Sequence, residues 1–424
     1  MRYHYSSDFL GVVLSARVAF SKRSWPYMTA LAMPWLMMSG QRAMSRLWQV
    51  AGRARHRSSY YRFLSEGKIR LEVLWRCLFE LIVRTFKLTQ LVLVVDDTLC
   101  PKWGKGIFGT GSFFDHVARP RAGYIWGHNW VVLAVVVPMG NFCWVALPFW
   151  IGLYRSKKTC KKREFRTRFQ MVAEILRAVR LWAPAMEILL LGDGAYNNDS
   201  MVSVLDKLKI SFVSRLREDA RLREAAPPRR RGQRGRPAKH GAWLPRLKVL
   251  ASRLSAFRKA TVHIYRRTLK LQVREVVAFW PALGRQVKVV IVRDPKRRHR
   301  TAYLMSTDLA MTSEQVIEAF SMRWSIEQLF ADAKLQMGLD STEARMPRSV
   351  LCHAALTMAF ITWVQVWHHL VHPETAHRSF SKKLNRLRTE TIAATLFSSG
   401  PRTMPRRKNV AALAGLFVAA SAGA

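Results

Sequence analysis

Apolar residues in the first part of the chain recur at the spacing of an α-helix. Between residues 24 and 80 this pattern predicts several short helices, separated by glycines and by a basic, tyrosine-rich stretch. We therefore expect residues 1–88 to form a helical region.

A change of pattern at Gln90 indicates the start of a sheet. The run LVLVVDD is apolar up to its two carboxylates, as in a strand buried on both faces, and further apolar runs begin at Trp130 and Cys143. An amphipathic helix over residues 166–182 precedes the buried run MEILLLGD, a short helix and the strand ISFVSRL. This order of elements predicts an α/β core, and residues 89–215 form its first part.

The pattern changes again after residue 215. The tract 227–241 is rich in Pro, Gly and Arg and cannot bury an apolar face. Beyond it, apolar and basic residues alternate as in antiparallel strands with one solvated face, so we expect a basic β-rich insertion over residues 216–300. The core then resumes over residues 301–372, and residues 373–424 are predicted to form a basic, poorly ordered tail.

The charge of the chain is strongly positive. It carries 70 Lys and Arg against 27 Asp and Glu, a formal net charge of +43, while 15 Trp and 21 Phe exclude general disorder. A folded protein of this kind fits a nucleic-acid partner. The N-terminal helices then predict a DNA-binding head, with a basic packing domain as the alternative. Arg234 and Arg236 resemble a minor-groove hook, although short basic tracts also bind phosphate without specificity.

The cysteines and one long apolar stretch bear on the location of the protein. Five scattered cysteines without a Cys-x-x-Cys pair indicate neither a disulfide framework nor a zinc site, so a cytoplasmic location is expected. Residues 351–370 carry no formal charge and have the length of a membrane span. Their His, Thr and Gln side chains favour a helix buried in a large soluble core, and we expect no membrane partner.

Two strands end in carboxylates that are candidates for chemistry. Asp97 and Asp193 each follow a buried run, and ligands bind outside the carboxyl ends of strands in open α/β sheets. Asp96 competes with Asp97, because adjacent strand residues point to opposite faces. The run before them is apolar throughout and does not decide between the two.

A third carboxylate lies on a helix predicted to run from residue 320 to about residue 337. At about 100° per residue, Glu327 shares one narrow stripe with Phe320, Arg323 and Lys334. This polar stripe borders the buried face, where a carboxylate requires a compensating cation. Trp324 is expected to be a core residue.

Carboxylates on three separate elements suit a pair of hard divalent ions. Mg²⁺ prefers oxygen ligands, and two ions about 4 Å apart can activate an attacking oxygen and stabilise a leaving one in phosphodiester cleavage. We therefore expect Asp97, Asp193 and Glu327 to bind two Mg²⁺, with Mn²⁺ as the alternative metal. Arg323 and Lys334 are expected to hold DNA phosphates beside the metals.

These segments resemble the DDE transposases of bacterial insertion sequences. One group of that family has the motif Tyr, two residues, Arg, three residues, Glu, six residues, Lys, and Phe320, Arg323, Glu327 and Lys334 reproduce its spacing with Phe in place of Tyr. VVDDTLCPKWGKG is similar to the family's first-Asp segment, GDGAYNN to its second, and GHNWVVLAVVV to a further segment. The resemblance covers about residues 91–340.

The resemblance implies an RNase H-like core interrupted by the β-rich insertion. It implies a bacterial enzyme, associated with the nucleoid, that cuts and joins double-stranded DNA at insertion-sequence ends and acts as a homodimer. The Asp-Thr pairing expected of the family favours Asp97 over Asp96, and Phe320 lacks the hydroxyl that the family's Tyr can offer to DNA. The alternatives are a non-catalytic DNA-binding descendant and an RNase H-like nuclease without strand transfer.

Overall fold

A computed structural model describes residues 7–51, 55–115, 123–140, 143–228, 235–236, 238–296 and 299–397. Its helices are α1 (Ser7–Leu14), α2 (Trp25–Met37), α3 (Met44–Val50), α4 (Arg57–Ser65), α5 (Leu71–Thr85), α6 (Arg168–Trp182), α7 (Asp199–Lys207), α8 (Leu247–Ser252), α9 (Ser313–Met322), α10 (Ser325–Leu335), α11 (Pro347–Val371) and α12 (Phe380–Phe397). Its strands are β1 (Gln90–Pro101), β2 (Gly111–Asp115), β3 (Gly123–Pro138), β4 (Trp144–Tyr154), β5 (Glu187–Gly192), β6 (Ile210–Arg215), β7 (Arg258–Ile264), β8 (Arg267–Trp280), β9 (Arg285–Arg293) and β10 (Ala302–Ser306).

The strands form one large mixed sheet. Its order is β2-β3-β1-β5-β6-β10-β9-β8-β7, and β4 also pairs with β3. β1 is antiparallel to β3 and parallel to β5, and β5 is parallel to β6. The predicted mixed α/β class is therefore confirmed.

The strands of the predicted insertion continue this sheet. β7, β8 and β9 are joined in antiparallel pairs, and β10 pairs with β9 on one side and with β6 on the other. Because β10 has partners at both edges, the basic strands and the strands of the core share one hydrogen-bonded layer. Of the two arginines that resemble a minor-groove hook, Arg236 is exposed, and Arg234 lies outside the described residues.

The N-terminal helices pack onto α11, the long apolar helix. The ring of Phe9 meets Trp367 edge to face, and Trp35 is fully buried and donates from Nε1 to the Met337 carbonyl oxygen at 3.2 Å. α11 is long and apolar enough to cross a membrane, but 94% of its most apolar window is buried inside the protein. This burial confirms the prediction of a core helix.

The segment predicted to be a poorly ordered tail contains a packed helix. α12 buries Lys383, whose Nζ donates to Gln365 Oε1 at 2.6 Å, and Arg388, whose guanidinium donates to the carbonyl oxygens of Leu36 and Met38. The prediction was wrong for this helix. Its basic residues are typical of a disordered tail, but Lys383 and Arg388 are buried and donate hydrogen bonds inside the protein. Residues 398–424 lie outside the described part of the chain.

The sequence predicts two helices here, the second from residue 320 to about residue 337, but the boundary between them lies farther along the chain. α9 ends at Met322 and α10 begins at Ser325, with Arg323 and Trp324 in the junction. The amide of Arg323 donates to the Phe320 carbonyl and that of Trp324 to the Ser321 carbonyl, both at 3.2 Å. These tighter turns, with hydrogen bonds between residues three apart, divide the helix where the sequence predicted continuity.

Candidate functional site

Two carboxylates stand where the central parallel strands part. The pairing of β1 with β5 ends at Val95 and Gly192, so Asp96 and Asp193 are the next residues on neighbouring strands. Residues in register on parallel strands point to the same face of a sheet, and the backbone of Asp193 is still extended. Asp96 and Asp193 are thereby placed on a common face.

The sequence predicted that the first strand ends at Asp97, but the strand continues beyond this residue. β1 continues to Pro101 because β3 goes on supplying hydrogen-bond partners, up to the pair Pro101 and Gly127. The two adjacent aspartates therefore lie inside the strand, at the level where β5 turns away. The site therefore lies beside the interior of β1, where β5 leaves it, and not at the end of β1.

Arg323 joins Asp96 to the helix that carries Glu327. Its guanidinium donates to Asp96 Oδ2 at 3.1 Å and to Glu327 Oε1 at 2.6 Å. The side chains of Arg323 and Asp96 are only 15% and 18% exposed, so this ion pair is shielded from water and stronger than a surface pair. The junction between α9 and α10 thus brings Glu327 to the side of the sheet that Asp96 faces.

The carboxyl of Asp96 is difficult to ionise in this position. Burial, the largest cause, and the charges of Asp97 and Asp193 raise its pKa, and the net value is about 7. The backbone amide of Asp97 and the guanidinium of Arg323 act in the opposite direction. A buried carboxyl with acidic neighbours is the kind of group that gains from a bound cation.

Asp97 turns toward the opposite side and meets Arg168. Nη1 of Arg168, the first residue of α6, lies 3.3 Å from Asp97 Oδ2, and its guanidinium covers the ring of Tyr154 at 5.0 Å. The identification of Asp97 as a metal ligand stays a prediction. The contacts of Asp96 with Arg323, and through it with Glu327, favour the neighbouring residue for that role.

Asp193 opens a short turn after β5. Its Oδ1 accepts a hydrogen bond from the amide of Ala195 at 2.6 Å, and its side chain is exposed at the surface. The turn delivers the fully buried Tyr196, whose pKa is raised well above its usual value by burial and by the charges of Asp97, Asp96 and Asp193. The charges of all three carboxylates therefore act on this one buried hydroxyl.

The other residues of the predicted stripe are distributed along the two helices. The guanidinium of Arg323 lies 5.6 Å from the centre of the Phe320 ring, at the end of α9. Lys334 is partly buried farther along α10, and its charge acts on Cys100, which lies on the same face of β1 as Asp96. α10 therefore runs beside β1 with its polar stripe toward that strand.

Asp193 and Arg323 line a cleft of about 1350 Å³. Its remaining charged wall residues are Arg215, Arg217, Glu218, Asp219, Lys248, Arg293 and Arg300. Trp324 also lines it and is 54% exposed, so the prediction of a core tryptophan was wrong: the helix junction turns its side chain outward. Cations outnumber acids on these walls, which suits a polyanion.

The chemistry of the donors fits a hard divalent cation. Asp96, Asp193 and Glu327 supply carboxylate oxygens, the ligands that Mg²⁺ and Mn²⁺ prefer. Among the described residues, no three His, Cys, Asp or Glu side chains already form a group that could hold a metal ion. Arg323 binds one oxygen each of Asp96 and Glu327, so the guanidinium and a cation would compete for these two carboxylates.

A comparison with protein families identifies the family of the chain. The profile of the family described as DDE superfamily endonuclease matches residues 18–270, more than half of the chain. The chain therefore belongs to the DDE superfamily endonucleases, nucleases that act on DNA and generally use divalent metals. No curated protein sequence matches the chain. The matched range includes Asp96, Asp97 and Asp193 but ends before Glu327.

The sequence did not identify several residues of the site. Arg168 is one of many arginines around the start of α6, and nothing in its spacing marks the contact with Asp97. Tyr265, at the turn between β7 and β8, and Lys248, on α8, reach the cleft from the insertion, far from the acids in sequence. The missing information is the pairing of strands across the sheet, which a single sequence does not specify.

Proposed function

We propose that the protein is a DNA transposase whose strand cleavage depends on Asp96, Asp193 and Glu327. The observation that carries the proposal is the approach of Asp96 to Asp193 where β1 and β5 part, with Glu327 tied to Asp96 through Arg323. The family assignment supports nuclease chemistry on DNA. The strand order supports an RNase H-like core: β4, β3, β1, β5 and β6 lie side by side, and β1, β5 and β6 are parallel.

The chain's own residues would divide the work as follows. The three carboxylates hold two divalent ions, Mg²⁺ or Mn²⁺, which when bound supply activation of the attacking oxygen and stabilisation of the leaving one. The buried position of Asp96 excludes water from one side of the site. Arg323 would bind Asp96 and Glu327 in the metal-free protein and present its guanidinium to the DNA phosphate at the mouth of the cleft.

The cleft is the proposed binding path of the DNA. Arg215 and Lys248 lie on different walls, one at the end of β6 and the other on α8 of the insertion. A strand laid between them would have its phosphates neutralised on both sides. The helical region 1–88, Arg234 and Arg236 are proposed to add DNA contacts outside the cleft, and Lys334 to hold a phosphate from α10. The protein would act in the bacterial cytoplasm, as a homodimer on paired DNA ends.

Purified protein incubated with supercoiled plasmid tests the nuclease part of the proposal. Nicked and linear products are expected with Mg²⁺ or Mn²⁺ and not with a chelator. Asp193→Asn is expected to abolish them while DNA binding persists, because removing an acid does not weaken the attraction to phosphate. Cleavage by Asp193→Asn at the wild-type rate would remove that residue from the site.

A second substrate separates transposase from simple nuclease. DNA that carries the ends of the protein's own element is expected to give released 3′ hydroxyls that join to target DNA, a product larger than the substrate strand. Hydrolysis without joined product would support an RNase H-like nuclease instead. Binding without either product would support a non-catalytic DNA-binding protein.

A further inference from the structure

The hairpin between β7 and β8 turns on two residues in an unfavourable conformation. Ile264 pairs with Arg267 across the turn, and the two residues between them, Tyr265 and Arg266, have φ angles of 49° and 60°. Tight hairpin turns of this kind favour Asn or Gly, because a bulky side chain is strained in the left-handed region. A tyrosine in this place indicates that something other than turn formation selects it.

Contacts on both sides hold this strained turn in position. Glu318 Oε1 on α9 accepts a hydrogen bond from the amide of His263 at 2.7 Å, and Arg258, at the start of β7, binds Glu314 at 2.5 and 2.9 Å. Arg266 donates to the carbonyl oxygen of His377 at 2.6 Å. The hairpin is thus fixed against the helix that leads into Arg323.

The fixed turn directs Tyr265 into the cleft beside the acidic site. Tyr265 lines the cleft together with Phe320 and Arg323, and its side chain is 56% exposed. Partial burial raises the pKa of Tyr265, the charge of Arg323 lowers it, and that of Glu327 raises it. The ring centre of Phe320 also lies near Arg323, 5.6 Å from its guanidinium, but Phe320 has no hydroxyl to form a hydrogen bond.

We propose that Tyr265 is a DNA-binding residue of the active site, supplied by the insertion hairpin. Its hydroxyl donates a hydrogen bond to a phosphate oxygen of the strand that Arg323 holds. Such a bond to a charged oxygen is short and stronger than one between neutral groups. The role rests on the proposed cleavage of DNA in this cleft, and it gives the insertion a direct part in the site.

Cleavage rate, DNA affinity and melting temperature of three variants test this role. Tyr265→Phe removes only the hydroxyl and is expected to lower the cleavage rate about tenfold, without a change in melting temperature. Tyr265→Asn suits the left-handed turn better and is expected to melt higher yet cleave as poorly. In the double variant Tyr265→Phe with Phe320→Tyr, a hydroxyl is offered from another residue of the cleft beside Arg323, and partial recovery is expected.

Tyr124→Phe is the matched control, since Tyr124 is 75% exposed on β3 and is not among the residues that line the cleft. It is expected to cleave like the wild type. Wild-type cleavage by Tyr265→Phe, or full activity of Tyr265→Asn, would overturn the role of the hydroxyl. If the wild type itself does not cleave, the proposed function fails, and equal DNA affinity of the wild type and Tyr265→Phe then overturns the phosphate contact separately.

Discussion

Arg323 Nη1 lies 3.1 Å from Asp96 Oδ2, although the two residues are 227 positions apart in the chain. The same guanidinium binds Glu327, so one cation connects the central strand to the helix that carries the last acid. The Arg in the sequence motif therefore has a structural partner that the motif does not contain. This relationship supports Asp96, of the two adjacent aspartates, as the one that shares a site with Glu327.

Asp96→Asn and Asp97→Asn are expected to behave differently. Asp96→Asn should reduce metal-dependent cleavage to background, because it removes the carboxylate that faces Asp193 and contacts Arg323. Asp97→Asn breaks the pair with Arg168 and should lower cleavage by about tenfold at most, as for a residue that orients the site. Rates measured on the same DNA decide. The reverse order of activities would instead support Asp97 as the ligand, as the family resemblance implies.

Arg323→Ala is expected to separate metal binding from cleavage. The guanidinium competes with a cation for oxygens of Asp96 and Glu327, so its removal should leave Mn²⁺ affinity unchanged or higher in titration calorimetry. Cleavage should fall, because the DNA phosphate loses its cation. A loss of Mn²⁺ affinity would show that Arg323 organises the carboxylates before the metal arrives.

Metal affinity is expected to depend on pH through Asp96. Because its pKa is raised to about 7, the carboxyl of the metal-free protein carries a proton below that pH, and a bound cation must displace it. Mn²⁺ affinity should therefore rise with pH, by up to about tenfold per unit, and level off above about pH 7. Calorimetric titrations at several pH values test this. A flat profile below pH 7 would contradict the protonated state.

Neutral substitutions in the cleft are expected to weaken DNA binding and its salt dependence. Arg215→Gln and Lys248→Gln should each reduce the slope of log affinity against log salt by about 1, because one counterion fewer is released. Arg177→Gln, at an exposed position of α6 that is not among the cleft residues, is the control. Equal slopes for all three variants would show that DNA does not occupy the cleft.

The sequence predicted the elements better than their junctions. The apolar runs before Asp97 and Asp193 predicted two buried strands, and both form neighbouring parallel strands of the sheet. The division of the helix at Arg323 and Trp324 carries no Gly or Pro signal, and the turn at Tyr265 uses residues that rarely form such turns. These features depend on tertiary contacts, which a local pattern does not contain.

The choice between the adjacent aspartates illustrates the same limit. The run before Asp96 is apolar on both faces, so its period could not assign the side chains to a face. Only the register with β5, which ends at Val95 and Gly192, and the contact with Arg323 distinguish them. Packing of the whole sheet supplied this information.

Metal-dependent cleavage by Glu327→Gln tests the central claim most directly, since Glu327 lies beyond the range matched to the family. The wild type, Glu327→Gln and the control Glu174→Gln, an exposed acid on α6, would be compared on the same DNA with Mn²⁺. Cleavage is expected to be lost only in Glu327→Gln, with DNA affinity retained. Cleavage by Glu327→Gln at the wild-type rate would contradict the proposed site.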